Sequence, residues 1–197
     1  TWVELHDDLY FLPERREILW ASQRSGHNHL YLYDYAGMLK GAVTAGDWDV
    51  IGEWGAPAVR GIDEKRGKVW FMATRKTPLE RQLHVADLDD GTGREPEALT
   101  SGDGWHAVTM SPDTKRFILI YNDPAQPPQV SLHDAAGRRL AWLVENRIDA
   151  NHPYAPYLDR HVLPEFGTLP AADGTPLHYQ IYKPAGFEAG KRYPAVL

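Results

Sequence analysis

Two stretches share a spelling: Thr44-Ala45-Gly46-Asp47-Trp48-Asp49-Val50-Ile51 and Thr100-Ser101-Gly102-Asp103-Gly104-Trp105-His106-Ala107-Val108. A third start, Trp2-Val3-Glu4-Leu5, matches their second half. The leading tryptophans are 46 and 57 residues apart. Each start is followed by a charged turn: Pro13-Glu14-Arg15-Arg16, Asp63-Glu64-Lys65-Arg66-Gly67 and Ser111-Pro112-Asp113-Thr114-Lys115-Arg116. An apolar run follows each turn, the clearest being Ile18-Leu19-Trp20-Ala21, Val69-Trp70-Phe71-Met72 and Phe117-Ile118-Leu119-Ile120-Tyr121. Then comes a strand that ends in aspartate: Leu30 to Asp34, Leu83 to Asp87, Val130 to Asp134. A short fourth strand is expected near 39–43, 97–99 and 139–144.

Four strands per repeat of this length is the pattern of a β-propeller blade. One four-stranded meander cannot bury both of its faces, so blades stack face to face about an axis. The aspartate after each third strand suits a tight turn, because its carboxylate can accept from the backbone two residues on. The Thr-x-Gly-Asp stretch then carries the chain from the outer edge of one blade to the inner strand of the next. The expected fold class is all-β, with about three four-stranded blades over 1–145, divided at 1–46, 47–103 and 104–145. Residues 146–160 are polar, contain Pro153 and Pro156, and read as a linker with one helical turn. Beyond them the Asp173-Gly174 turn sits between Phe166-Gly167-Thr168-Leu169 and Leu177-His178-Tyr179-Gln180-Ile181-Tyr182, a hairpin signal. A further strand is expected to start at Tyr193.

Composition narrows the chemistry. The 197 residues carry 21 Lys and Arg against 27 Asp and Glu, a net charge of −6. That balance disfavours sequence-independent nucleic-acid binding and docking on anionic lipid, both of which need clustered cations. Cysteine is absent, which removes disulfides, thiolate ligands and a cysteine nucleophile. The 17 glycines and 15 prolines mark many turns and short elements. No apolar stretch has the ~18 residues of a spanning helix. The start lacks the features of a signal peptide, and the end stops inside an apolar run, so a piece of a longer protein is expected.

Candidate sites are few. No serine has glycines two positions either side, and neither a P-loop nor a His-Glu-x-x-His motif occurs. His27-Asn28-His29 has the spacing of half a metal site, but two histidines without an acidic partner rarely hold zinc, and a polar turn is the better reading. Asp89-Asp90-Gly91 lacks the alternating ligands of a calcium loop. Arg15, Arg16, Lys65, Arg66, Lys115 and Arg116 recur at one repeat position. They form either an anion-binding rim or solvated hairpin turns, with the turns favoured. The leading tryptophans read as packing between blades rather than a ligand-stacking face.

Taken in order, Ser25 to Tyr33, Thr44 to Val50, Val69 to Thr74 and Pro78 to Val85 resemble the propeller of dipeptidyl peptidase IV-like enzymes. Leu177 to Phe187, followed by Lys191 to Leu197, resembles the entry into their α/β-hydrolase domain. The resemblance implies the last blades of an eight-bladed propeller, with 161–197 as the start of the hydrolase. It also implies a serine peptidase that removes X-Pro or X-Ala dipeptides from peptide N-termini, on a bacterial cell surface or in the periplasm. The family's catalytic Ser, Asp and His, and its oxyanion-stabilising Tyr, would all lie beyond Leu197. Its paired amine-binding Glu would precede Thr1. No catalytic, cofactor-binding or metal residue is therefore assigned within 1–197, and no cofactor is expected. The implied partners are a peptide substrate, the rest of the propeller and hydrolase, and a second copy in a homodimer. No nucleic acid and no membrane contact is expected from this segment. The alternatives are a propeller that only binds a partner, or a related acylaminoacyl-peptidase or prolyl oligopeptidase.

Overall fold

The protein is described by a computed structural model covering residues 8–53, 55–89 and 95–196. The first repeat start, Trp2 to Leu5, and the Asp90-Gly91 pair lie outside the described residues. The chain divides into two compact units, 1–123 with 127–146, and 124–126 with 147–197.

The first unit holds three four-stranded antiparallel meanders. The first contains β1 (Leu9–Leu12), β2 (Glu17–Ser22), β3 (His29–Asp34) and β4 (Leu39–Ala42). The second contains β5 (Val59–Asp63), β6 (Lys68–Ala73), β7 (Gln82–Asp87) and β8 (Glu97–Ala98). The third contains β9 (Trp105–Met110), β10 (Arg116–Asp123), β11 (Gln126–Asp134) and β12 (Arg139–Val144). In each sheet the strands lie side by side in chain order, as a propeller blade requires.

The burial pattern explains the stacking. Successive side chains of a strand point to opposite faces. On β6, Val69, Phe71 and Ala73 enter one core with Leu12, Leu19, Ala21, Leu30 and Leu32 of the first sheet. Trp70 and Met72 enter another with Val108, Phe117 and Leu119 of the third sheet. A strand that feeds two cores must be apolar at every position, which is why 69–73 reads as an unbroken run. The flanking strands alternate instead. Leu19 and Ala21 on β2 are buried while Trp20 is exposed, and Phe117 and Leu119 on β10 are buried while Ile118 and Ile120 are exposed. First strands also approach one another. A Cβ on Gly61 of β5 would meet Met110 of β9 at 3.0 Å, so only glycine allows this contact without a shift.

The aspartate turns behave as expected from their chemistry. Asp34 Oδ1 accepts from Ala36 N at 2.9 Å and Met38 N at 2.8 Å. Asp134 Oδ1 accepts from Ala136 N at 3.2 Å and Arg138 N at 3.0 Å.

Two expectations need correction. Trp48 to Ile51 does not begin a strand. Only Val50 bridges, to Ala73, and the first strand of the second sheet begins eleven residues after Trp48, at Val59. A tight turn interrupts the segment, with Glu53 N donating to Ala56 O at 3.1 Å and Ala56 N to Glu53 O at 2.9 Å. At Gly52 any Cβ would lie 2.3 Å from Ala56 O. Tyr193 to Val196 likewise forms no strand. An extended segment counts as a strand only when a neighbour takes its backbone hydrogen bonds, and the described chain offers none there.

The second unit contains a short 3-10 helix, Ala155–Arg160, and the hairpin β13 (Glu165–Pro170) and β14 (Pro176–Ile181). Gly174 has φ +87°, and Asp173 Oδ1 accepts from Thr175 N at 2.9 Å, so the Asp-Gly turn forms as read. His161 is held by Tyr154 Oη at 2.7 Å and by Pro124 O at 2.8 Å. Among the described residues, no helix is long and apolar enough to cross a membrane.

Candidate functional site

The repeat signature turns out to be a set of joints between sheets. The Thr44 hydroxyl accepts from Leu30 N at 3.0 Å, and the Thr100 hydroxyl accepts from Leu83 N at 2.9 Å. Both are buried and tie each lead-in to the third strand of the sheet it leaves. Gly46 and Gly102 follow at φ +135° and +107°, a backbone region that side chains disfavour. A Cβ on Gly46 would collide with Trp48 Nε1 at 2.2 Å.

The first joint is aromatic. Trp48, 9% exposed, stacks on Phe71 at 6.4 Å and on His84 at 6.4 Å, and meets His29 edge-on at 4.8 Å. Packing between blades is therefore the role of this tryptophan. His29 spends both ring nitrogens, Nδ1 on Thr44 Oγ1 at 3.0 Å and Nε2 on Gly46 O at 2.9 Å. His27 turns elsewhere, to Asp49 Oδ2 at 3.3 Å. The two rings do not converge on a common point, so the half-metal-site spacing resolves into a capped turn. Burial lowers the pKa of His29, and burial pushes His84 down to about 4.

The second joint uses His106, whose Nδ1 faces Arg81 O at 2.8 Å and whose Nε2 faces Ser101 O at 3.1 Å. Here the matching tryptophan behaves differently. Trp105 is 51% exposed, with Nε1 donating to Leu79 O at 3.2 Å and the Arg81 guanidinium 4.4 Å from its ring centroid. It is not a core residue.

Of the recurring cations, Arg15, Lys65 and Arg66 meet carboxylates or hydroxyls of neighbouring turns. Glu64 Oε2 accepts from Glu14 N at 2.8 Å and Arg15 N at 3.3 Å. Arg15 Nη1 also reaches Asp89 at 3.2 Å, and Arg66 Nη2 reaches Thr114 Oγ1 at 2.9 Å. The first-hairpin turns of the three sheets thus grip one another in series. Solvated turns are the right class, with the addition that they clasp neighbouring blades.

Four further features escaped the sequence. Asp8 accepts from Tyr10 Oη at 2.7 Å and from Ala58 N at 3.3 Å; burial first, then that carboxylate, raises the Tyr10 pKa. Nearby, Arg60 donates to Glu53 at 3.2 Å while its Nε is buried with no partner, and burial lowers its pKa. Ser131 Oγ lies 2.8 Å from His133 Nε2, but both are buried and His133 Nδ1 is spent on Gly137 O at 2.9 Å. That pair is packing against Phe117, at 5.0 Å, and no substrate can reach its hydroxyl. Finally, a cleft of about 280 Å³ is lined by Val43, Lys68, Asp87, Glu95 and Glu97, its charges paired as Lys68–Asp87 at 2.7 Å and Arg75–Glu95. Of these, only His133 left a trace in the sequence, directly before the turn aspartate Asp134.

The family model for the dipeptidyl peptidase IV (DPP IV) N-terminal region matches residues 1–128. A probable dipeptidyl-aminopeptidase B of Aspergillus clavatus is 30% identical over 173 residues, covering 87% of this chain and 18% of the relative. Dipeptidyl peptidase 8 of Homo sapiens is 26% identical over 230 residues, covering 100% of this chain and 25% of the relative. In structure, the chain resembles dipeptidyl peptidase 4 of Porphyromonas gingivalis, with a TM-score of 0.76 and 25% identity over 94% of this chain and 24% of that one. The chain thus spans a quarter or less of the length of these relatives.

Proposed function

The chain belongs to the family of the dipeptidyl peptidase IV N-terminal region, and from that premise we propose that it forms part of the non-catalytic propeller wall of a serine aminodipeptidase. The whole enzyme would release X-Pro or X-Ala dipeptides from peptide N-termini. The observation that supports this reading is the stacking itself: one central sheet sealed on both faces, by Phe71 towards one neighbour and Trp70 towards the other. Such a wall is stiff, because interiors packed this closely resist deformation. It excludes folded proteins and admits extended peptides. Keeping water from the reacting bond strengthens the electrostatics of acyl transfer.

In this reading 146–160 is the linker and 161–197, with the β13–β14 hairpin, opens the hydrolase. The partners are the remaining blades, the hydrolase, a peptide and a second copy. The test compares the whole protein with the isolated chain on a dipeptidyl chromogenic substrate. The whole protein is expected to be active and the isolated chain silent; turnover by the isolated chain would overturn the assignment. Gating has its own readout. Loosening the wall with Phe71→Ala should raise cleavage of long peptides relative to the chromogenic substrate, and an unchanged ratio refutes it.

A further inference from the structure

The segment between β12 and the hairpin is fastened at both ends. The turn between β10 and β11, 124–126, belongs to the second compact unit together with 147–197. At its start, Asn146 Nδ2 donates to Pro128 O at 2.9 Å, on β11 just past that turn. At its end, His161 Nε2 faces Pro124 O at 2.8 Å, in the turn itself. Residues 147–160 therefore leave one short arm of chain and return to it, as a strap. The chemistry at His161 selects one form of the ring. A carbonyl oxygen only accepts, so in the neutral ring Nε2 carries the hydrogen. Nδ1 is then an acceptor, and the Tyr154 hydroxyl donates to it at 2.7 Å. Tyr154 thus keeps the tautomer that holds Pro124, and its ring meets the imidazole edge-on at 5.6 Å. The 3-10 helix Ala155–Arg160 stands between the two residues and sets their spacing.

We propose that His161 is a latch. With Tyr154 it fastens the strap to the β10–β11 turn, and its release lets the strap and the chain entering β13 move off that turn while the hairpin stays folded. The observation behind this is the lack of a core: none of residues 147–161 is buried. A segment held by exposed hydrogen bonds opens at far lower cost than the fold around it. His161 also stands just before β13, so a closed latch pins the leading end of the hairpin and an open one frees it. The inference rests on reading 146–160 as the linker and not on peptidase activity. A whole protein inert on a dipeptidyl substrate would sink the peptidase reading and leave this one to its own test.

The experiment is amide hydrogen exchange, read by mass spectrometry on the whole protein. The strap carries its own reporters: Ala155 N donates to His152 O at 2.9 Å, Tyr157 N to Tyr154 O at 2.9 Å and His161 N to Leu158 O at 3.0 Å. His161→Ala is expected to lower protection across 155–161 about three- to tenfold, the scale of one or two lost hydrogen bonds. Tyr154→Phe keeps the ring, loses the hydroxyl and should give a smaller drop over the same residues. His161→Gln, whose amide reaches about as far as Nε2, should restore most of the protection. At the hairpin turn, where Ala171 N donates to Thr175 O at 2.8 Å, exchange should not change in any variant. Unchanged protection across 155–161 in His161→Ala overturns the latch. So does an equal drop at the hairpin turn, because His161 would then only support the unit as a whole.

Discussion

Acid should loosen the joint between the first two blades, and His84 sets the size of the effect. Its ring is buried against Phe71, at 5.9 Å, and Trp48, and Nδ1 lies 3.1 Å from Gln82 O. Burial pushes its pKa from 6.5 down to about 4; the charge of Arg75 acts the same way, and the Gln82 carbonyl opposes both. The folded state therefore favours the neutral ring. The stabilisation is complete above the unfolded value near 6.5 and is lost as the pH falls from there towards 4. Each pKa unit corresponds to ~1.4 kcal/mol, so the loss is about 2 kcal/mol at pH 5 and approaches ~3 kcal/mol near pH 4. His29, also lowered by burial, adds in the same direction. The assay is urea unfolding of the chain from pH 7.5 to pH 5, followed by tryptophan fluorescence. His84→Leu puts an apolar side chain of similar bulk in place of the ring and removes the titration. It should show a stability loss smaller than the parent's by about 2 kcal/mol across that range. Parallel pH curves for the two proteins would refute the argument.

Gly46→Ala should cost more than the same change at Gly26, where φ is +101° with open space around it and the strain alone is about 1–3 kcal/mol, because the new methyl at 46 also meets Trp48. Comparing the two denaturation midpoints checks this. Thr100→Val should lower unfolding stability by about 1–2 kcal/mol, since it leaves the buried Leu83 N–H without its acceptor. Phe71→Ala removes a fully buried ring from the centre of the stack and should cost ~3–5 kcal/mol in the same assay. The isolated chain exposes Leu9, Phe11 and Trp20 at one end of its stack and Ile118 and Ile120 at the other. It is expected to self-associate in light scattering, because large apolar faces seek cover, and Trp20→Lys should reduce the mass observed. A monomer with or without the substitution would count against open end faces.

Much of the architecture is legible in the residues because strand chemistry is local. Alternation at Leu19-Trp20-Ala21 and at Phe117-Ile118-Leu119 marks sheets covered on one face, and the unbroken run at 69–73 marks the sheet covered on both. Turn aspartates such as Asp34 and Asp134 act on neighbours two and four residues away, so their roles follow from spacing. The joints are less legible. Thr44 and Thr100 stand out as repeats, but repetition does not say that their hydroxyls accept from Leu30 and Leu83. The tryptophan signature is the sharpest case, because Trp48 and Trp105 look equivalent in sequence and are not in space. A turn at Gly52 to Ala56 separates Trp48 from its sheet and drops it into the aromatic core, while Trp105 leads directly into β9 and stays exposed.

The sequence by itself determined the repeat, the four-strand pattern of each blade, the hairpin at Asp173-Gly174 and the absence of a local catalytic motif. These depend on side-chain periodicity and backbone preference over a few residues. Only the tertiary structure decided which charges pair, as when Glu64 caps the turn at Glu14 and Arg66 reaches Thr114 across 48 residues of chain. It alone decided which histidines are kept from water, and which tryptophan is left open. Those outcomes depend on how one sheet lies against the next, and contact between residues dozens of positions apart is set by packing rather than by spelling.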